Sequence, residues 1–261
     1  MPRLAANLSM MFQEAPFLDR FEAAQECGFT GVEYLFPYDH PAEEIAEHLE
    51  RHRLTQALFN LPPGDWARGE RGMAALPGRD DEFMAGLERS LHYARLTRCQ
   101  RLHVMAGNWP SGRDRREGRE IYVANLKRAA ERAAEQGVTL LIEPINVRDM
   151  PDYFLNTTAD AMEVIKAVGR DNLKLQLDLY HCQIMEGDLA MHIRHLAGSY
   201  AHVQIAGVPE RHEPDLGEVN YAYLLELLDE VGYGGWVGCE YRPAAETRVG
   251  LGWAQRWVCR A

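Results

Sequence analysis

Thr139-Leu-Leu-Ile-Glu143 is a short apolar run that ends on a carboxylate. The chain repeats the device three more times, in Leu173-Lys-Leu-Gln-Leu-Asp178, Ala201-His-Val-Gln204 and Trp236-Val-Gly-Cys-Glu240. Near-continuous apolar runs read as strands buried on both faces, which are the strands of parallel sheets. A metal-binding oxygen at the end of each places the chemistry where a parallel barrel keeps it, at the carboxyl ends of its strands.

Working outward, further strands are expected at residues 4–8, 31–35, 55–60 and 101–105. They join those at 139–143, 173–178, 200–204 and 236–240. Helical patterns fall between them, at 16–27, 41–52, 80–97, 119–136, 158–168, 188–196 and 221–231, with a last one at 251–258. Gly28, Gly137 and Gly232 follow helices, where glycine supplies the left-handed cap, and Asn156-Thr-Thr offers hydroxyls to start the helix near Thr158. Eight strand–helix repeats predict right-handed βαβ units closed into a single (β/α)8 barrel, one domain over 1–261.

Composition agrees. With 46% hydrophobic and 26% charged residues, the 261-residue chain can bury a large core, and it has no apolar run long enough to span a membrane. The amino terminus lacks the apolar stretch of a signal peptide, so a cytoplasmic location is expected. A net charge of −11 repels polyanions, and the one basic stretch, Arg113-Asp-Arg-Arg116 with Arg119, is interleaved with acids and reads as a solvated helix start. No nucleic-acid partner is therefore expected. The five scattered cysteines (Cys27, Cys99, Cys182, Cys239, Cys259) form no Cys-x-x-Cys pair and are expected to be reduced thiols.

Glu143, Asp178, Gln204 and Glu240 make an all-oxygen donor set, suited to Mg²⁺ or Mn²⁺. Any one of them could equally serve a salt bridge or a helix cap; four at consecutive strand ends point to one ion. Three carboxylates at one barrel mouth repel one another unless a divalent ion neutralises them or one stays protonated. Residues two apart share a strand face, so Leu141, Gln176, His202 and Gly238 should also point inward. Gly238 would leave room there, and His202 reads as a satisfied interior histidine. His181, three residues beyond Asp178 on what reads as a loop, is a candidate to bind substrate. The irregular stretch 61–79 is long enough to be functional. It reads as a lid carrying Trp66 and one or both of Arg68 and Arg71, the alternative being a rigid ornament packed on a neighbouring loop or second subunit.

The segments Ala6-Asn-Leu-Ser-Met-Met-Phe12, Gly31-Val-Glu-Tyr-Leu-Phe-Pro-Tyr38, Pro62-Pro-Gly-Asp-Trp-Ala-Arg-Gly-Glu-Arg-Gly72, Leu76-Pro-Gly-Arg79, Ile142-Glu-Pro-Ile-Asn146, Met185-Glu-Gly-Asp-Leu189, Gly217-Glu-Val-Asn-Tyr221 and Gly238-Cys-Glu-Tyr-Arg-Pro243 resemble the hydroxypyruvate isomerase family. That family includes the 2-oxo-tetronate isomerases and sits among the xylose-isomerase-like barrels. The resemblance spans essentially the whole chain and extends into loops. It implies that Glu143 and Glu240 are the acid/base pair and that Glu143, Asp178, Gln204 and Glu240 hold the metal. By similarity to ketose 3-epimerases, which carry His where Gln204 stands, His181 and Arg211 would touch substrate. Pro151-Asp152-Tyr153 departs from the Pro-Gly-Phe expected of the family.

Aldose–ketose isomerisation moves a proton between neighbouring carbons through an enediolate, which a divalent ion stabilises and two glutamates can serve. A 2-oxo acid, hydroxypyruvate or 2-oxo-tetronate, also carries a carboxylate, for which Arg71 and Arg211 are the candidate cations. The competing readings are a ketose 3-epimerase, an endonuclease of the same barrel superfamily and a non-catalytic sugar-acid-binding protein. A homo-oligomer is an expectation from related barrels alone.

Overall fold

A computed structural model describes residues 2–258. Eight strands close into a barrel in chain order. They are β1 (Arg3–Asn7), β2 (Gly31–Tyr34), β3 (Thr55–Asn60), β4 (Arg101–His103), β5 (Thr139–Ile142), β6 (Leu173–Asp178), β7 (Tyr200–Ile205) and β8 (Trp236–Cys239), and β8 pairs in parallel with β1. Around them run α1 (Arg20–Glu26), α2 (Ala42–Arg51), α3 (Asp80–Thr97), α4 (Arg115–Ala134), α5 (Thr158–Val168), α6 (Leu179–Met185), α7 (Leu189–His195) and α8 (Tyr221–Glu230). The three expected glycine caps have positive φ, and Thr157 caps α5 by accepting from the Asp160 amide.

The sequence reading departs from the fold most at three places, besides a strand β4 that ends at His103 and an unexpected helical turn, Thr247–Gly250. Asp114 accepts from the Arg116 amide (2.9 Å) and starts α4 at Arg115, earlier than the apolar pattern suggests. The stretch 251–258 is a 3₁₀ turn, Leu251–Ala254, followed by one helical turn, Gln255–Val258. The third is α6, which replaces the loop expected after β6. Asp178 accepts from the Tyr180 amide (2.8 Å) and so caps a helix of under two full turns, too short to show periodicity.

The core lies mostly between sheet and helices. On β7, Val203 and Ile205 join that shell while His202 and Gln204 face the barrel axis, as strand alternation requires. In α2, Ala42, Ile45 and Leu49 form the inward stripe. Each fully buried Leu or Ile in this shell contributes about 1.5–3 kcal/mol. The barrel floor is plugged separately, by the Trp236 indole against Ala5 and Ala57. Gly31 is obligatory beneath it, since a Cβ there would lie 2.4 Å from the indole.

The basic stretch is solvated and paired: Arg113 with Glu117 (2.6 Å), Arg116 with Asp114 (2.7 Å) and Arg119 with Glu163 (2.7 Å). Cys27, Cys99, Cys182 and Cys239 are free thiols; Cys259 lies outside the described residues. Among the described residues no helix is long and apolar enough to cross a membrane.

Loop 61–79 has a fixed root and an open tip. Met73, Ala74 and Ala75 are buried, with the Ala75 amide donating to Ala106 O (2.8 Å) and Asn125 Nδ2 to Ala74 O (3.0 Å). At the tip, Asp65 caps the turn Trp66–Arg68, and Glu70 holds Arg79 at 3.0 Å. The departure at residues 151–153 is absorbed by Tyr153. Its buried hydroxyl accepts from the Ala106 amide (2.8 Å), tying the loop after β5 to the loop after β4.

Candidate active site

The strands β5, β6 and β8 deliver Glu143, Asp178 and Glu240 to the same end of the barrel, beneath a cavity of about 800 Å³. Together with His181 they present donor atoms that all lie within 4.8 Å of one another, and all four side chains are buried. Glu143 Oε1 and Asp178 Oδ2 have no hydrogen-bond partner among the described residues. Buried carboxylate oxygens left without donors are costly, and a divalent cation is the partner that suits them. The donor chemistry therefore fits a hard or borderline metal ion.

Asp178 divides its two oxygens: Oδ1 caps α6, and Oδ2 faces the cluster. The cap brings His181 round on the first turn of α6, its Nε2 3.5 Å from Asp178 Oδ2 and 3.8 Å from Glu143 Oε1. Asn146 Nδ2 donates to His181 Nδ1 (2.6 Å), which assigns the ring proton to Nε2. Burial first, and Arg211 second, depress the His181 pKa, so the imidazole is neutral. In this tautomer the His181 Nε2–H is directed at the cluster.

Arg211 stands over the same cluster with a left-handed backbone, φ 58°. Its guanidinium lies 2.6 Å from Glu240 Oε2, 3.6 Å from Asp178 Oδ2 and 3.4 Å from Asp149 Oδ2, and packs over the Tyr180 ring at 4.7 Å. Arg71 takes the opposite position, on the cavity roof, 3.7 Å above the Trp66 ring, with Nη1 donating to Glu70 O (2.7 Å). Among the described residues it has no carboxylate at ion-pair distance. Arg68 points away and pairs with Asp65 at 3.5 Å, so of the two arginines proposed for the loop only Arg71 lines the cavity.

Gln204 is buried and, like Asp178, does not line the cavity. Its Oε1 accepts from Gln176 Nε2 (2.6 Å) and its Nε2 donates to Glu33 Oε1 (2.9 Å), so both ends of the carboxamide are fixed. Glu33 is the centre of this layer: it also meets His202 Nε2 (2.6 Å) and accepts from Asn7 Nδ2 (2.9 Å). Gly238 is the cradle, since a Cβ there would fall 2.2 Å from Glu33 Oε2. Register shifts fall beside two members of this layer, at Val32/Glu33 and Leu175/Gln176.

Sequence reasoning missed Glu33, His103 and Asp149. His103 Nδ1 lies 3.6 Å from Glu143 Oε2, and burial, then His202, pushes its pKa down to about 3, keeping it neutral. The signal for Glu33 was present in Gly31-Val-Glu-Tyr34, an acid inside an apolar strand.

Burial raises the pKa of all three carboxyl groups. Glu240 is pushed up to about 8 even though Arg211 opposes the shift; Glu143 rises well above the ordinary range because Glu240 and Asp178 add to burial. The folded, metal-free protein thus holds protons that the unfolded chain releases near the ordinary carboxylate range. The stability contributed by these groups is full below that range and is lost as pH rises through ~5 to ~8. Melting temperatures of chelator-treated protein should fall across that window, with added Mn²⁺ or Mg²⁺ restoring most at its upper end. A flat profile would mean that the cluster is already ionised at pH ~5.

Comparison with known proteins agrees with this architecture. Residues 21–257 match a family model described as xylose isomerase-like TIM barrel. A 2-oxo-tetronate isomerase of Cupriavidus necator is 57% identical, covering all of both chains, and a hydroxypyruvate isomerase of Escherichia coli is 45% identical over 97% of this chain and 98% of its own. A solved structure described as AP endonuclease, family 2, from Brucella melitensis superposes with a TM-score of 0.97 at 53% identity, covering 99% of this chain and 100% of its own. The chain belongs to the xylose isomerase-like TIM-barrel family and, within it, to the hydroxypyruvate and 2-oxo-tetronate isomerases.

Proposed function

We propose that the chain is a single-domain cytoplasmic aldose–ketose isomerase of small 2-oxo sugar acids. The observation that carries this reading is the buried group Glu143, Asp178, His181 and Glu240 at the floor of an open cavity. Of the two acids, 2-oxo-tetronate is the better supported, because the 57% identical relative bears that activity in its name and the hydroxypyruvate isomerase is 45% identical. Free thiols fit a reducing compartment.

Glu143, Asp178 and Glu240, with Gln204 as a fourth oxygen donor, would hold Mg²⁺ or Mn²⁺. The Gln204 carboxamide oxygen has a second lone pair beyond the one given to Gln176. When bound, such an ion supplies charge neutralisation and Lewis-acid stabilisation of an enediolate. Glu240, paired with Arg211 and ionised once the cluster carries its ion, takes the proton from the carbon beside the substrate carbonyl. Glu143 carries the proton that is returned to the neighbouring carbon. The His181 Nε2–H donates to a substrate oxygen and orients it, with Asn146 holding the ring. Arg211 below and Arg71 on the roof flank the space a substrate carboxylate would occupy.

Proton NMR in D₂O with added Mg²⁺ tests this, offering 2-oxo-tetronate, hydroxypyruvate and fructose in parallel. Conversion of a 2-oxo acid with deuterium in its product is expected, and 2-oxo-tetronate should react faster. Turnover of fructose alone would move the chain to the epimerases. The name of the Brucella relative adds a control: with net charge −11 and a carboxylate-floored cavity, no incision of abasic-site DNA is expected. Arg71→Ala should raise KM for the 2-oxo acid by about 10-fold or more, the worth of a charged hydrogen bond of roughly 1.5–3 kcal/mol, with kcat nearly unchanged. Equal KM changes for neutral ketoses would remove Arg71 from carboxylate recognition.

A further inference from the structure

Along α6, just beyond His181, three side chains that the isomerase chemistry does not use converge. Cys182 and Glu186 are one helical turn apart, and His192 reaches them from α7; one donor atom from each lies within 4.8 Å of the others. We propose that Cys182, Glu186 and His192 form a second metal site, taking a borderline-soft divalent ion such as Zn²⁺.

The donor set is one sulfur, one imidazole nitrogen and one carboxylate oxygen, which selects zinc over the magnesium or manganese suited to the oxygen cluster. Tetrahedral zinc with bonds of about 2.0–2.3 Å places its ligands roughly 3.3–3.7 Å apart, so small side-chain rotations close the site. Cys182 is buried, and Glu186 and His192 are half-buried, which leaves an ion a path from solvent. Glu186 is already aimed: its two oxygens accept from the Thr158 amide (2.8 Å) and hydroxyl (2.9 Å), and Thr158 Oγ1 also meets His192 Nδ1 at 3.3 Å. Carboxylate oxygens retain lone pairs beyond those contacts, and His192 can rotate off a 3.3 Å contact at little cost. On binding, the Cys182 thiol releases its proton to solvent and the thiolate is compensated by the ion. Water or an added anion completes the fourth position. The ion would tie α6 to α7, and α6 is the helix that starts at Asp178 and carries His181.

The test uses Co²⁺ as a spectroscopic probe on chelator-stripped, full-length protein already supplied with Mg²⁺. The oxygen cluster cannot give a thiolate-to-cobalt charge-transfer band, whereas the second site must. Wild type should develop that band, Zn²⁺ should bleach it, and Cys182→Ser should abolish it while Mg²⁺-supported turnover persists. His192→Ala should weaken Zn²⁺ binding by about 10-fold or more, at least the loss that follows removal of a residue supporting a metal ligand. This second variant decides the matter should Cys182→Ser fold poorly. No charge-transfer band in wild type, a band that survives Cys182→Ser, or unchanged Zn²⁺ affinity in His192→Ala would each overturn the site.

Discussion

Glu240→Gln is expected to lower kcat by about 10²- to 10⁴-fold, the range by which a positioned acid or base accelerates proton transfer. The substitution is nearly isosteric, and its amide oxygen can still accept from Arg211 Nη2, which lies 2.6 Å from the carboxylate in the parent. What it removes is the basic lone pair beside the reacting carbon. Melting temperature and the far-ultraviolet circular dichroism spectrum should stay near those of the parent. Deuterium incorporation from D₂O into unreacted substrate should fall in parallel with turnover, because both need the same proton abstraction. Activity within a few-fold of wild type would take Glu240 out of the acid/base role and leave it a ligand only.

The second large effect is expected at a residue that touches neither cavity nor substrate. Glu33→Ala strands His202 Nε2, Asn7 Nδ2 and Gln204 Nε2, three donors buried at the barrel axis. Removing one partner from such a network costs about 3–5 kcal/mol, which a shift in the denaturant midpoint would report. The loss should reach the ion as well. With the carboxamide of Gln204 no longer anchored at its nitrogen, Mn²⁺ affinity measured by calorimetry should drop about 10- to 100-fold. Glu33→Gln, which keeps one acceptor oxygen, should recover much of both. If stability falls but Mn²⁺ affinity stays at the wild-type value, Glu33 is a structural residue and Gln204 does not ligate.

The contrast between Glu240 and Glu33 shows what the sequence could reveal. Glu240, Glu143 and Asp178 were legible because each closes an apolar run, and strand ends in a parallel barrel converge whatever the intervening helices do. His202, Gln176 and Gly238 followed from two-residue alternation alone. Glu33 carries an equally plain local signal, but its meaning lies in partners 169 and 171 residues away, His202 and Gln204, and no spacing rule connects them. The helix α6 was hidden for a different reason. Asp178 was read as a strand-end ligand, yet the same carboxylate also caps the helix, and the single-role reading left His181 on a loop. The loop reading left open whether Arg68 joins Arg71 over the pocket, since which arginine faces the cavity depends on the turn that Asp65 caps.

Among the described residues, Trp236 with Ala5 and Ala57 forms an apolar cluster of its own; the levels above it include Glu33, Gln176, His202 and Gln204. Tolerance to mutation should therefore divide by strand parity. Changes at outward positions such as Val203 and Ile205 would be felt as packing losses that compensating substitutions in the helices can repair. Changes one residue along would be felt as altered charge and hydrogen bonding along the axis, where no neighbouring helix can compensate. Laboratory evolution of a new substrate preference would then draw its gains from the roof loops around Trp66 and Arg71, leaving the axial residues unchanged across the selected lineages.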